Sequence, residues 1–126
     1  GGSDSEGSRR LRRVVVRAGG WVYSLSFEYS DGTARTSLSG WGGEEQEPFV
    51  LEAGEFLVGV RGRQGLCLDA ISFVTSRNRE SAVFGKPENG DSEFCLDATE
   101  GFQIWCVERN FAGRIQRAIE IPAPSP

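Results

Sequence analysis

Apolar and polar side chains alternate in three short stretches that recur at a nearly constant interval along the chain. Each stretch begins with a glycine: Gly19–Phe27, Gly65–Phe73 and Gly113–Ile121. Because alternation puts every second side chain on the same side of an extended backbone, each stretch predicts a β-strand with one buried face. The recurrence predicts three copies of one structural unit.

Turn residues follow the first two strands. Asp31-Gly32 and Arg77-Asn78 tolerate positive φ, so they predict hairpins leading into strands at Ala34–Leu38 and Ser81–Phe84. The segments Pro48–Val60 and Glu93–Val107 each have the pattern strand, turn, strand. Each unit therefore has about four strands.

Four antiparallel strands cannot bury an apolar face alone, so the three units are expected to pack their faces around a shared axis. The predicted fold is all-β: a prism of three four-stranded antiparallel sheets with internal pseudo-threefold symmetry. The predicted core consists mainly of aromatic residues, with the candidates Trp21, Phe27, Phe49, Phe56, Phe73, Phe94, Phe102, Trp105, Ile115 and Ile119.

Length and composition fit one domain. The chain has 126 residues with 17 Gly and 5 Pro, which suits many short strands joined by tight turns. We expect the domain to span residues 1–122 and residues 123–126 to form a Pro-rich tail or linker. The three cysteines, Cys67, Cys95 and Cys106, match no zinc-binding spacing, and reduced thiols are expected, with a Cys95–Cys106 bridge as the alternative.

Composition also argues against several functions. The chain has no His, which removes the commonest general base and metal ligand, so we expect neither an enzyme nor a metal or other cofactor. A net charge of −4 argues against nucleic acid as a partner. No apolar run is long enough to span a membrane.

The chain resembles the jacalin-related lectins over nearly its whole length. The resemblance rests on Gly1-Gly2, on Phe56–Ser76 and on Ala82–Gly85. It implies the β-prism I fold, with three four-stranded Greek-key sheets. Through Ala18–Val22 and Asp31–Ala34, the sequence looks closer to the animal branch, which includes the zymogen-granule lectins and the lectin domains of aerolysin-like fish proteins.

The resemblance also implies a site. In the family, a monosaccharide lies between the N-terminal Gly-Gly loop, here Gly1 and Gly2, and a Gly-x-x-x-Asp motif in the third unit. The Asp carboxylate accepts hydrogen bonds from sugar hydroxyls, and backbone N–H groups beside the glycines donate. Carried over by position, the motif falls on Gly113, Arg114, Ile115, Gln116 and Arg117.

Arg117 thus stands where the family has Asp. Arginine has no acceptor, so the third-unit site is either lost or retuned toward an anionic sugar, for which Arg114 and Arg117 would be suitable. The motif is intact in the second unit, at Gly65, Leu66, Cys67, Leu68 and Asp69. If the threefold repeat places each binding loop beside the entry loop of the following unit, that motif faces the loop Asn89, Gly90 and Asp91.

A first-unit site is the third option. It would place Gly19–Tyr23 opposite Gly40–Gly43, with Trp21 or Trp41 stacking on a sugar. The function implied by the resemblance is non-catalytic binding of a mannose-type, galactose-type or anionic glycan. The alternative is a sugar-silent prism that acts as a protein-interaction or targeting module. The expected partners are glycans or glycoproteins, with homodimerisation and fusion to other domains as further expectations, and a secreted or cell-surface location is favoured over a cytoplasmic one.

Overall fold

The computed structural model describes residues 9–124. Within this span the chain forms eleven strands and one 3₁₀ turn, and no helix is long and apolar enough to cross a bilayer. The strands are β1 (Leu11–Ala18), β2 (Val22–Tyr29), β3 (Ala34–Ser39), β4 (Glu44–Glu45), β5 (Phe49–Val50), β6 (Leu57–Gln64), β7 (Leu68–Thr75), β8 (Phe84–Gly85), β9 (Ser92–Asp97), β10 (Phe102–Arg109) and β11 (Ile115–Pro122), and the turn is Pro87–Asn89.

Three antiparallel sheets form the walls of the prism. The first has the order β3-β2-β1-β4, with β5 also paired to β1, and the second has the order β8-β7-β6-β9. The third consists of β10 and β11 within residues 9–124. A long antiparallel hairpin recurs in each wall: β1 with β2, β6 with β7, and β10 with β11. The all-β prism with threefold repetition is confirmed.

Local details differ from the predicted four strands per unit. The described third sheet has two strands, and β8 begins at Phe84 rather than at Ser81. Ser81 explains the shorter β8, because its hydroxyl Oγ accepts a hydrogen bond from Phe73 N at 2.9 Å while its own N–H donates to Phe73 O at 2.9 Å. A side-chain oxygen therefore takes the place of a ladder carbonyl, and regular pairing is interrupted there.

Aromatic rings from the first and second walls meet in the core. Phe73 contacts Phe27, Phe49 and Phe84, with ring centroids 6.3, 6.1 and 6.3 Å apart. Of the ten predicted core residues, five are buried, namely Phe27, Phe49, Phe73, Trp105 and Ile115. Three others are half-buried: Phe56, Phe94 and Ile119.

Two of the core predictions are wrong. Trp21 is 44% exposed and Phe102 is 40% exposed. Trp21 lies in the loop between β1 and β2, and Phe102 is the first residue of β10, so neither ring reaches the region enclosed by the sheets. Alternation identifies the face of a strand but not its end.

The cysteine thiols are all free within the described residues. Cys95 is exposed on β9, whereas Cys106 is buried on β10 and Cys67 is half-buried in the loop before β7. Burial is the main cause of the raised pKa of the Cys106 thiol. Cys106 is therefore held as a protonated thiol in the core.

Candidate functional site

A β-bulge marks the start of the second strand in all three hairpins. In β7, residues 68 and 70 both have partners on β6, and the ladder skips Asp69. In β2 and β11, the skipped residues are Tyr23 and Gln116. A bulge turns its side chain away from the regular alternation. Tyr23, Asp69 and Gln116 therefore occupy one equivalent position at the same end of each wall.

The strand register makes Gln116, not Arg117, the third-unit equivalent of Asp69. This corrects the assignment made from glycine spacing. Gly65 N donates to Cys67 O at 3.0 Å, whereas the corresponding third-unit bond runs from Asn110 N to Arg114 O at 2.8 Å. The third loop is thus longer, and the glycine within it no longer marks the same position. We call the loops at residues 19–21, 65–67 and 110–114 the three binding loops.

Arg117 lies on β11 beside the bulge rather than in it. Its partner across the ladder is Glu108, and its Nε donates to Glu108 Oε1 at 2.8 Å. In this exposed ion pair the positive charge of Arg117 is balanced locally by the carboxylate of Glu108. This pairing reduces what Arg117 could offer to an anionic ligand.

Asp69 is buried, with 6% of its surface exposed. The Cys67 thiol lies 3.7 Å from Asp69 Oδ1 and donates to it, and the backbone carbonyl of Asp69 accepts from Lys86 N at 2.9 Å. Burial first, and then the charge of Asp69, raise the pKa of the Cys67 thiol. The thiol thus stays protonated and remains a donor to the carboxylate.

The predicted partner loop of the second unit does lie beside Gly65. A Cβ placed on Gly65 would stand 2.9 Å from Asp91 Oδ2, and one on Gly90 would stand 2.8 Å from the Cβ of Arg63. The Asn89 amide Nδ2 donates to Gly20 O at 2.9 Å, which connects this loop to the first binding loop. The glycines are therefore needed for close approach of the backbones.

The third binding loop is built around Asn110. The Asn110 side-chain oxygen Oδ1 accepts from Ala112 N at 2.9 Å and from Arg114 N at 3.2 Å. Gly113 has φ +89°, a conformation that favours glycine. Ile115 is buried. Gly1 and Gly2, predicted to face this loop, lie outside the described residues.

In the first unit, glycines enclose the bulged tyrosine. A Cβ on Gly42 or Gly43 would stand 2.8 or 2.4 Å from the ring of Tyr23, and the Trp21 ring centroid lies 4.8 Å from that of Tyr23. The Tyr23 ring therefore fills the space beside the bulge, which a smaller side chain at position 23 would leave open. A sugar in this unit would contact the outside of Trp21 or Trp41 rather than the bulge.

The three binding loops meet at a cleft of about 380 Å³. Its walls include Trp21, Tyr23, Trp41, Leu66, Cys67 and Gly113. Trp41 and Leu66 are each 98% exposed, so the cleft is open and has apolar edges. Such an arrangement offers apolar faces together with a few polar groups, which suits a small polyhydroxylated ligand. Within residues 9–124, no group of three or more His, Cys, Asp or Glu residues could hold a metal ion.

A family model described as the jacalin-like lectin domain matches residues 1–120. The chain belongs to the jacalin-like lectin family. Its members are carbohydrate-binding domains, and the loop end described above is where this lectin domain carries its glycine-rich turns and its bulged carboxylate. No curated protein matches the chain.

Several solved structures share the fold. A mannose-binding jacalin-related lectin from Ananas comosus is 22% identical, with a TM-score of 0.63 over 77% of this chain and 70% of that one. The Calystegia sepium agglutinin is 19% identical, with a TM-score of 0.65 over 90% and 83%. A lamprey immune protein is 25% identical, with a TM-score of 0.62 over 79% of this chain and 32% of that longer chain.

Sequence reasoning assigned no role to two residues of this lectin domain's loop end. Gln116 has the bulge position in the third unit. Gln64, 6% exposed, accepts from Ile115 N at 2.8 Å and donates from Nε2 to Ile115 O at 3.0 Å. A polar residue at the end of an alternating strand was the signal for Gln64, but its partner is distant in sequence and could not be inferred from the pattern.

Proposed function

We propose that this lectin domain binds glycans non-catalytically at its loop end, with Asp69 as the acceptor for sugar hydroxyls. The observation that supports this most directly is the bulge at Asp69, the one bulged residue of the three that is a carboxylate. A carboxylate accepts but does not donate, which matches vicinal sugar hydroxyls. The loop of Asn89, Gly90 and Asp91 lies against Gly65, the first residue of the motif that ends in Asp69.

A neutral hexose is the ligand class that we favour over an anionic sugar. The acids Asp69 and Asp91 lie at the second-unit motif, and Asp91 Oδ2 approaches Gly65 closely. Two carboxylates repel an anionic ligand. In the third unit, Arg117 is already paired with Glu108. The mannose-binding lectin among the structural neighbours makes mannose the first sugar to test.

The test is isothermal titration calorimetry with methyl α-mannoside and methyl β-galactoside at millimolar concentrations, preceded by a glycan array. Asp69→Asn keeps the shape of the side chain but replaces an acceptor oxygen by a donor, so we expect a loss of affinity of about tenfold or more. The matched control is Asp97→Asn, which removes an exposed carboxylate of β9 paired with Arg61 at 2.8 Å. Equal affinity of the Asp69→Asn and Asp97→Asn variants would rule out Asp69.

The second candidate function is a sugar-silent prism that serves protein contacts or targeting. It is favoured by the 6% exposure of Asp69 and by the tyrosine and glutamine at the other two bulges. Under this alternative, no glycan on the array gives a signal above background while the protein remains folded by circular dichroism.

A further inference from the structure

We propose that the outer face of the first sheet carries an additional glycan subsite, which takes further units of a neutral oligosaccharide whose first unit occupies the loop end. This inference rests on the proposed function and extends it from a single sugar to a chain. The subsite is a groove of about 600 Å³ beside Trp41. We call it the sheet-face groove, and its lining includes Arg17, Ser24, Ser26, Thr36, Ser39 and Trp41.

Cross-strand pairing gathers four hydroxyl side chains on this face. Ser24 pairs with Ser39, and Ser26 pairs with Thr36, across β2 and β3. The hydroxyls Ser26 Oγ and Thr36 Oγ1 lie 3.0 Å apart. Each hydroxyl can donate and accept, as sugar hydroxyls do. The floor of the groove therefore matches a neutral polyhydroxylated chain better than an apolar or strongly charged ligand.

Trp41 lines the sheet-face groove, and hydrogen bonds hold the backbone of its loop in position. Its ring is 98% exposed, so burial does not explain a tryptophan here. Its loop is fixed, because Arg17 donates from Nε to Gly42 O at 3.2 Å and from Nη2 to Gly43 O at 2.8 Å. Gly40 adds a further contact, since a Cβ there would stand 2.7 Å from Tyr23 O. An exposed ring on a fixed loop offers an open aromatic face on which a sugar can stack.

The groove adjoins the loop-end cleft. Gly40 and Trp41 line both. A chain that begins in the cleft would thus pass over Trp41 onto the serine-rich face.

The test compares chain lengths. Affinities for methyl α-mannoside and linear mannotetraose, and for methyl β-galactoside and a linear galactotetraose, are measured by isothermal titration calorimetry. We expect the tetrasaccharide that matches the bound monosaccharide to bind about tenfold more tightly than that monosaccharide. Ser26→Val should remove most of this gain and leave the affinity for the monosaccharide unchanged, because Ser26 lines only the sheet-face groove. Trp41→Ala should also remove most of the gain.

Two variants are matched controls. Phe111→Ala removes another fully exposed aromatic ring from the loop end, outside the groove. Ser72→Val changes the residue of β7 that corresponds to Ser26, on the outer face of the second sheet. Both should keep the full gain with chain length.

The outcomes separate this inference from the proposed function. If the monosaccharide binds and the longer chain gains nothing, or gains equally in Trp41→Ala, the sheet-face groove is excluded while loop-end binding stands. The same exclusion follows if Phe111→Ala or Ser72→Val loses as much as the groove variants. If no sugar of any length binds, both proposals fail together.

Discussion

Glu55 shows at the scale of one residue how this fold uses a buried charge. Its side chain is 1% exposed and lies before the start of β6, at the end of the prism opposite the binding loops. Oε1 accepts from Arg79 Nη2 at 2.7 Å, and Oε2 accepts from Thr75 Oγ1 at 2.6 Å. Glu52 N also donates to Oε1 at 2.9 Å. Both carboxylate oxygens are thus paired, as burial requires.

The pairing of Glu55 predicts a loss of stability in acid. Hydrogen bonds from Arg79 are the largest cause of a Glu55 pKa lowered to about 2. A carboxyl group whose pKa is lowered by folding contributes its full stabilisation above the pKa of the unfolded chain, near 4.5. That contribution is lost as the pH falls toward 2. Glu55→Gln should lower the free energy of unfolding at pH 7 by about 3 kcal/mol and flatten its slope between those pH values.

The measurement for Glu55 is urea unfolding at a series of pH values. The control is Glu93→Gln, because Glu93 is 80% exposed and pairs with Arg63 at 3.1 Å. An exposed pair contributes little, so this variant should change the free energy of unfolding by less than about 1 kcal/mol and leave the acid slope unchanged. An unchanged slope in Glu55→Gln would contradict the role given to the buried carboxylate.

At the scale of elements, the short strand β8 supports the bulge at Asp69. Gly85 has φ +92°, and a Cβ there would stand 2.2 Å from the carbonyl oxygen of Asp69. The following residue, Lys86, donates its N–H to that same oxygen at 2.9 Å. A strand of two residues is thus placed close enough to fix the backbone of the candidate binding residue. A larger residue at position 85 could not make this approach.

Gly85→Ala should therefore destabilise the domain and weaken glycan binding. Gly32→Ala is a matched control, because Gly32 has φ +89° but no atom within 4 Å of its added Cβ. The control should cost only the backbone strain, about 1 to 2 kcal/mol. Gly85→Ala should cost more by about 1 to 3 kcal/mol, since the steric overlap is with backbone. Thermal unfolding measures both variants, and equal losses would show that β8 is not constrained by Asp69.

At the scale of the whole molecule, the sequence predicts the walls of the prism better than the loop end. The alternation ending in Phe27 and Phe73 predicts the walls, because those rings meet in the core. The geometry of the loop end depends on loop length and on β-bulges, and glycine spacing in the sequence predicts neither. Glycine spacing therefore pointed to Arg117 where the register places Gln116. The pairing of Gln64 with Ile115 was beyond prediction, since it forms only after two walls have packed together.

That pairing makes the last prediction, because Gln64 joins the second wall to the third. Its amide binds both backbone groups of Ile115 in a buried position. Gln64→Met keeps a similar volume but leaves a buried N–H and C=O unpaired, so the free energy of unfolding should fall by about 2 to 3 kcal/mol. Gln103→Met is the control, since the Gln103 amide donates to Pro122 O at 3.2 Å within its own hairpin, and it should cost about 1 kcal/mol. Urea unfolding compares the two, and a smaller loss in Gln64→Met than in Gln103→Met would show that the Gln64 amide does not hold the second wall to the third.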